Sequence, residues 1–156
     1  MWPVGIADMG LFDRLRSGTS APAVGMFVDG PNVFREEFDV DLDDLRALAE
    51  GEGTSTIARV YLDENAGGGL IQAAESRGFE VVTTSGDVDV KLAVDAVESA
   101  VDGRIDTLVV VSRDTDFKPV IETAKKRGLR TVAVAPGTYG RSDALRNAAH
   151  DEVTLE

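Results

Sequence analysis

From Ala23 onward, short apolar runs alternate with longer amphipathic stretches, and this alternation restricts the fold more than any single residue does. Ala23–Val28 (AVGMFV), Thr56–Leu62 (TIARVYL), Phe79–Thr83, Asp106–Ser112 (DTLVVVS) and Arg130–Ala135 (RTVAVA) read as strands. The run DTLVVVS is apolar on successive residues, as expected of a strand buried on both faces of a parallel sheet. Between the runs, Asp41–Glu50 places Leu42, Leu45, Leu48 and Ala49 on one helical face, with acids in its first turn, where the helix dipole favours them. Gly67-Gly68-Gly69 opens a helix that continues through Arg77 and stops at Gly78. Val88–Val101 repeats Val90, Ala93, Val94 and Val97 at helical intervals; Phe117–Arg127 is closed by Gly128, and Ser142–Ala149 is a last helix. The order predicts an α/β fold: a doubly wound, mostly parallel five-stranded sheet with helices on both faces.

The chain of 156 residues matches one domain in length, here residues 23–156. Residues 1–22 read as an extension. Leu11, Phe12 and Leu15 sit at helical spacing before Ser17-Gly18-Thr19-Ser20-Ala21-Pro22 breaks the pattern. Met1–Gly10 contains Asp8 and no basic stretch, unlike a signal peptide, and no run approaches the roughly 18 apolar residues of a membrane span. The expected location is the cytoplasm.

What the chain lacks narrows its chemistry. It has no cysteine, which removes disulfides, thiolate metal sites and a thiol nucleophile. Its one histidine, His150, leaves no His-rich zinc site. Acids outnumber bases 28 to 16, a formal net charge of −12, and only four of the bases are lysines (Lys91, Lys118, Lys125 and Lys126). Such acidity ordinarily opposes nucleic-acid binding, which depends on cationic neutralisation of phosphates. Two readings stand: plain solubility charge, or adaptation to high salt, where long-range repulsion is screened. Under the second, net charge says little against a nucleic-acid substrate.

In open α/β sheets ligands bind beyond the carboxyl ends of the strands, so the residues after each strand carry the functional information. Asp29 follows the first run, with Asn32 three residues on; Asp63 and Glu64 follow the second; Asp87, Asp89 and Asp95 follow the third; Asp114 and Asp116 follow the fourth. Singly, each has an ordinary explanation in turn chemistry or helix capping. Together, carboxylates in one cleft repel and raise one another's pKa unless a cation lies between them. With no cysteine and no usable histidine, the ligands are all oxygen, which selects Mg²⁺, Mn²⁺ or Ca²⁺.

Three motifs carry a likeness. Val28-Asp29-Gly30-Pro31-Asn32 follows the first strand. Gly86-Asp87-Val88-Asp89-Val90 leads into Lys91-Leu92-Ala93-Val94-Asp95. Ser112-Arg113-Asp114-Thr115-Asp116-Phe117 follows the fourth strand. In order and spacing they resemble the NYN family of PIN-like ribonucleases, over roughly residues 23 to 155. The resemblance implies a ribonuclease dependent on Mg²⁺ or Mn²⁺, with Asp29, Asp89, Asp114 and Asp116 as catalytic and metal-binding residues and Asp95 as a weaker additional acid. Asn32 would steady the first turn, and Ser112 matches the small hydroxylic residue of the third motif. Thr84-Ser85 stands where relatives often carry a lysine, which removes a phosphate contact. The implied reaction is in-line attack of water on the scissile phosphorus, with Asp116 or Asp29 orienting the water.

Two other functions fit a chain of this kind. One is an RNA-binding or scaffold NYN domain without turnover. The other is a metal-dependent phosphohydrolase, for which the expected D-x-D after the first strand is absent: Asp29 is followed by Gly30-Pro31. Gly67-Gly68-Gly69 lacks the Lys-Ser/Thr of a P-loop. Arg113, Arg141, Arg146 and Lys118 are candidate substrate-phosphate contacts, with ordinary surface charge as the alternative for each. Tyr139 is a candidate base-stacking residue, and His150 reads as a solvated helix end. The expected partner is RNA, with no membrane contact and a second copy of the chain as an open possibility.

Overall fold

The computed structural model describes residues 20–35, 37–137 and 143–155. The elements run β1 (Ala23–Asp29), α1 (Gly30–Val33), α2 (Leu42–Glu52), β2 (Thr54–Asp63), α3 (Gly68–Ser76), β3 (Glu80–Thr84), α4 (Val88–Val101), β4 (Thr107–Val111), a 3₁₀ turn (Thr115–Phe117), α5 (Lys118–Lys126), β5 (Arg130–Pro136), α6 (Asp143–Ala148) and β6 (Asp151–Leu155). All neighbouring strands pair in parallel, in the order β3-β2-β1-β4-β5-β6. The α/β class and the parallel sheet follow the sequence reading. The sheet has six strands rather than five. β6 continues the sheet beside β5, with Val132 opposite Asp151 and Pro136 opposite Leu155. As a short edge strand with only Val153 and Leu155 facing inward, it carries little apolar signal.

Strand alternation feeds two cores. Val24, Met26 and Val28 of β1, with Val109 and Val111 of β4, pack beneath α2 and α3 through Leu45, Ala49 and Ala74. Phe27, Leu108 and Val110 point to the other face and pack beneath α4, α5 and α6 through Leu92, Ala96, Ile121 and Leu145. On α4 the inward face is Val88, Leu92, Asp95, Ala96, Ser99 and Ala100. Of the row that makes the helix easy to recognise in sequence, Ala93 and Val97 pack partly against this core, while Val90 and Val94 are exposed.

The Asp29–Asn32 turn signal resolves into the single helical turn α1, with Pro31 in its first positions, where a missing N–H costs nothing. Gly30 is required there by close approach: a Cβ would collide with the Tyr61 carbonyl oxygen and the Leu62 side chain. The expected N-terminal extension falls almost entirely on residues 1–19, outside the described residues, as do Tyr139, Arg141 and the Arg146 side chain. No helix among the described residues is long and apolar enough to cross a membrane.

Candidate metal centre

The strand order reverses between β1 and β4. β1, β2 and β3 extend the sheet one way; α4 then carries the chain back to β4, on the other side of β1. A crevice opens at such a point because the flanking connections leave in opposite directions. Asp29 ends β1, Asp114 lies just beyond β4, and Asp89 is in the first turn of the returning helix. One carboxylate oxygen from each lies within 4.8 Å of the other two. Asp29 is 2% exposed, whereas Asp89 and Asp114 are half-buried at the mouth.

Hydrogen bonds from neighbouring segments hold these carboxylates. The buried Ser112 hydroxyl donates to Asp29 Oδ2 at 2.9 Å and accepts the Asp114 backbone N–H at 3.0 Å, so one side chain joins the ends of β1 and β4. Asn32 adds a second tie, its Oδ1 accepting the Arg113 backbone N–H at 2.8 Å. Asp114 caps the 3₁₀ turn by accepting the Asp116 N–H at 2.9 Å. Asp87 caps α4 by accepting the Asp89 N–H at 3.2 Å, which fixes the backbone carrying the Asp89 carboxylate. Capping and site-building are thus joint roles at Asp87 and Asp114.

The electrostatic cost of this convergence appears in the proton affinities. Burial raises the Asp29 pKa and the Ser112 hydrogen bond opposes that rise, while the charge of Asp114 adds to it. Asp89 is pushed up to about 7, by burial first, then by a hydrogen bond with Asp114 that favours its protonated form, then by repulsion from Asp29, Asp114 and Asp87. A cation among the three would reverse these shifts, because its charge favours the ionised form of every ligand. The donor set is all oxygen and converges from three segments, which fits a hard divalent ion.

The other residues singled out in the sequence have different surroundings. Asp116 is exposed on the 3₁₀ turn and is not one of the three converging acids. Asp95 is buried two turns along α4, where its Oδ2 accepts the Tyr61 hydroxyl at 2.7 Å and faces Arg59 at 3.6 Å, and its Oδ1 meets Lys91 at 3.1 Å. Those bonds tie α4 to β2 and occupy both oxygens. Burial, then the bond to Asp95, raises the Tyr61 pKa. Nothing in the sequence signals this network, since Tyr61 sits inside an apolar strand run. The Arg113 guanidinium stacks over the Phe38 ring, 4.9 Å from its centroid, and Lys118 is exposed, 4.0 Å from Glu122. His150 Nδ1 accepts the Thr131 backbone N–H at 3.0 Å at the opposite end of the sheet, beside the start of β5.

This centre has a family context. A family model for the NYN domain matches residues 23–156. The chain belongs to the NYN domain family. NYN domains fall within the PIN-like nuclease superfamily, and the acidic cluster at the strand-order reversal lies inside the matched region. The chain is 40% identical over 139 residues to an uncharacterized protein of Methanocaldococcus jannaschii, a match covering 89% of this chain and 58% of the relative. It thus spans little more than half of that relative's length. A crystal structure of a protein of unknown function from Vibrio parahaemolyticus superposes with a TM-score of 0.75 at 22% identity, covering 87% of this chain and 94% of that one, a likeness of fold.

Proposed function

We propose that this NYN domain is a ribonuclease that hydrolyses RNA phosphodiester bonds at the Asp29–Asp89–Asp114 centre, with Mg²⁺ or Mn²⁺ as cofactor. The observation that carries the reading is the meeting of three carboxylates from separate segments within 4.8 Å, at the ligand-binding end of a nuclease-family fold. A divalent ion held by these acids would supply charge neutralisation for the phosphoryl oxygens and a more acidic water. Asp29 provides the buried, fixed ligand, oriented by Ser112. Asp89 and Asp114 form the solvent-facing side, where substrate enters. Asp116, exposed on the same turn, is assigned to orient the attacking water, and Lys118 to a substrate phosphate.

The test is cleavage of single-stranded and structured RNAs with Mn²⁺ or Mg²⁺, at low and high salt, beside an EDTA control and Asp114→Asn. Cleavage that needs the ion and disappears in Asp114→Asn is the expected result. RNA binding without cleavage under every condition would replace the ribonuclease with a binding domain. Asp116→Asn separates the roles further: it should lower turnover while ion binding, followed by calorimetry, stays intact.

A further inference from the structure

Every large apolar side chain left exposed among the described residues lies on one helix. Val90 is 59% exposed, Val94 55% and Val101 43%, all on α4. With the half-buried Val97 they form a row at steps of four, three and four residues, the spacing of a seam between two packed helices. Among the described residues the remainder of the surface offers no comparable patch, and a contiguous apolar row on a folded domain marks an interaction site.

Two shallow cavities run along the row. One, of about 630 Å³, lies between the Thr83–Gly86 loop and Val90 and Val94. The other, of about 510 Å³, lies over Ala93, Val94, Val97 and Val101. The row therefore presents knobs and hollows at both ends.

The charges beside the row identify what covers it. Lys91 flanks its N-terminal half and Glu98 its C-terminal half, seven residues apart and so on the same side of the helix. Both are exposed: Lys91 reaches from the surface to the buried Asp95 at 3.1 Å, whereas Glu98 meets Arg104 at 3.8 Å in a surface contact that adapts at little cost. Laid antiparallel about a two-fold axis, a second copy of α4 sets Val90 against Val101 of the partner subunit and Val94 against Val97 of the partner subunit. The same operation brings Lys91 to Glu98 of the partner subunit, and, by symmetry, Glu98 to Lys91 of the partner subunit. Each cavity receives the opposite end of the partner's row, as a self-complementary interface requires. A parallel pairing would set like charges and like helix ends level with each other.

We infer that the valine row of α4 is the two-fold interface of a homodimer, with the two helices antiparallel. The valines supply the association and the Lys91–Glu98 pairs select the orientation. This assignment is independent of catalysis at the acidic centre.

Light scattering and sedimentation of the full chain across a concentration series, in moderate salt, supply the test. The expected mass is twice the 16.6 kDa of the chain. Val94→Asp is expected to give a monomer with an unchanged circular dichroism spectrum, since that side chain is mostly outside its own core; Val101→Asp is the second variant should the first aggregate. Lys91→Glu and Glu98→Lys should each weaken the dimer at least tenfold, and the two together should restore it. A wild-type chain that stays monomeric at every concentration overturns the inference, whether another segment of the chain or a different protein covers the row. So does a dimer indifferent to Val94→Asp and Val101→Asp, or a double charge reversal no better than the single ones.

Discussion

Ser112 shows how much of a carboxylate centre depends on a residue that bears no charge. Its hydroxyl both donates to Asp29 and accepts from the Asp114 backbone, so removing it frees the buried carboxylate and the loop carrying the second one. Ser112→Ala should cost about 10–100-fold in cation affinity or turnover, the usual penalty for losing a group that orients a ligand, with little change in circular dichroism; calorimetric titration with Mn²⁺ reads it directly. Asp89 supports a prediction about pH. Without a cation, the folded protein keeps the Asp89 proton up to about pH 7, whereas an unfolded chain loses it near the ordinary aspartate value. The folded state therefore binds more protons in that interval, and stability should fall as pH rises from about 4 to about 7. Melting curves in EDTA should show this decline for the wild type and a shallower one for Asp89→Asn; parallel curves would refute it.

The elements explain which parts of this arrangement could be seen in the sequence. Asp29, Asp89 and Asp114 were legible because each adjoins a strand end or helix start that apolar patterning marks clearly. The Tyr61–Asp95 tie was not, because its partners lie 34 residues apart and neither stands out in its own segment. The sixth strand was not legible for want of apolar length, nor was the face that α4 buries, because Val90, Val94 and Val101 lie outside while Leu92, Ala96 and Ala100 lie inside, which leaves no single apolar face to read. Two N-caps make a matched comparison. Asp41 caps α2 by accepting the Asp43 N–H at 2.8 Å, far from the cluster, whereas Asp87 caps α4 and adds repulsion to Asp29 and Asp89. Asp41→Ala should cost about 1 kcal/mol, the typical value of a lost cap. Asp87→Ala should cost less in EDTA, since relieved repulsion offsets the lost bond. Urea unfolding of both variants decides it, and an equal loss would show that Asp87 acts as a cap alone.

For the whole molecule, charge is the dominant condition. A net of −12 makes a compact state self-repelling at low ionic strength, where screening extends over about 30 Å at about 0.01 M salt. At about 1 M the range falls to about 3 Å, and only close neighbours still repel. Denaturation midpoints should therefore rise steadily with KCl, most steeply at the dilute end; a flat profile would mark the acidity as ordinary surface charge. The ties at the crevice act on a larger scale too. Asp29 and Asp114 become neighbours only after β4 has been laid beside β1, and Asp89 joins them only through the helix between β3 and β4. The centre is therefore assembled late in synthesis. A growing chain released before Ser112 has been added carries Asp29 and Asp89 but neither Asp114 nor the hydroxyl that joins the two strand ends, so a prematurely terminated product lacks the three-carboxylate centre.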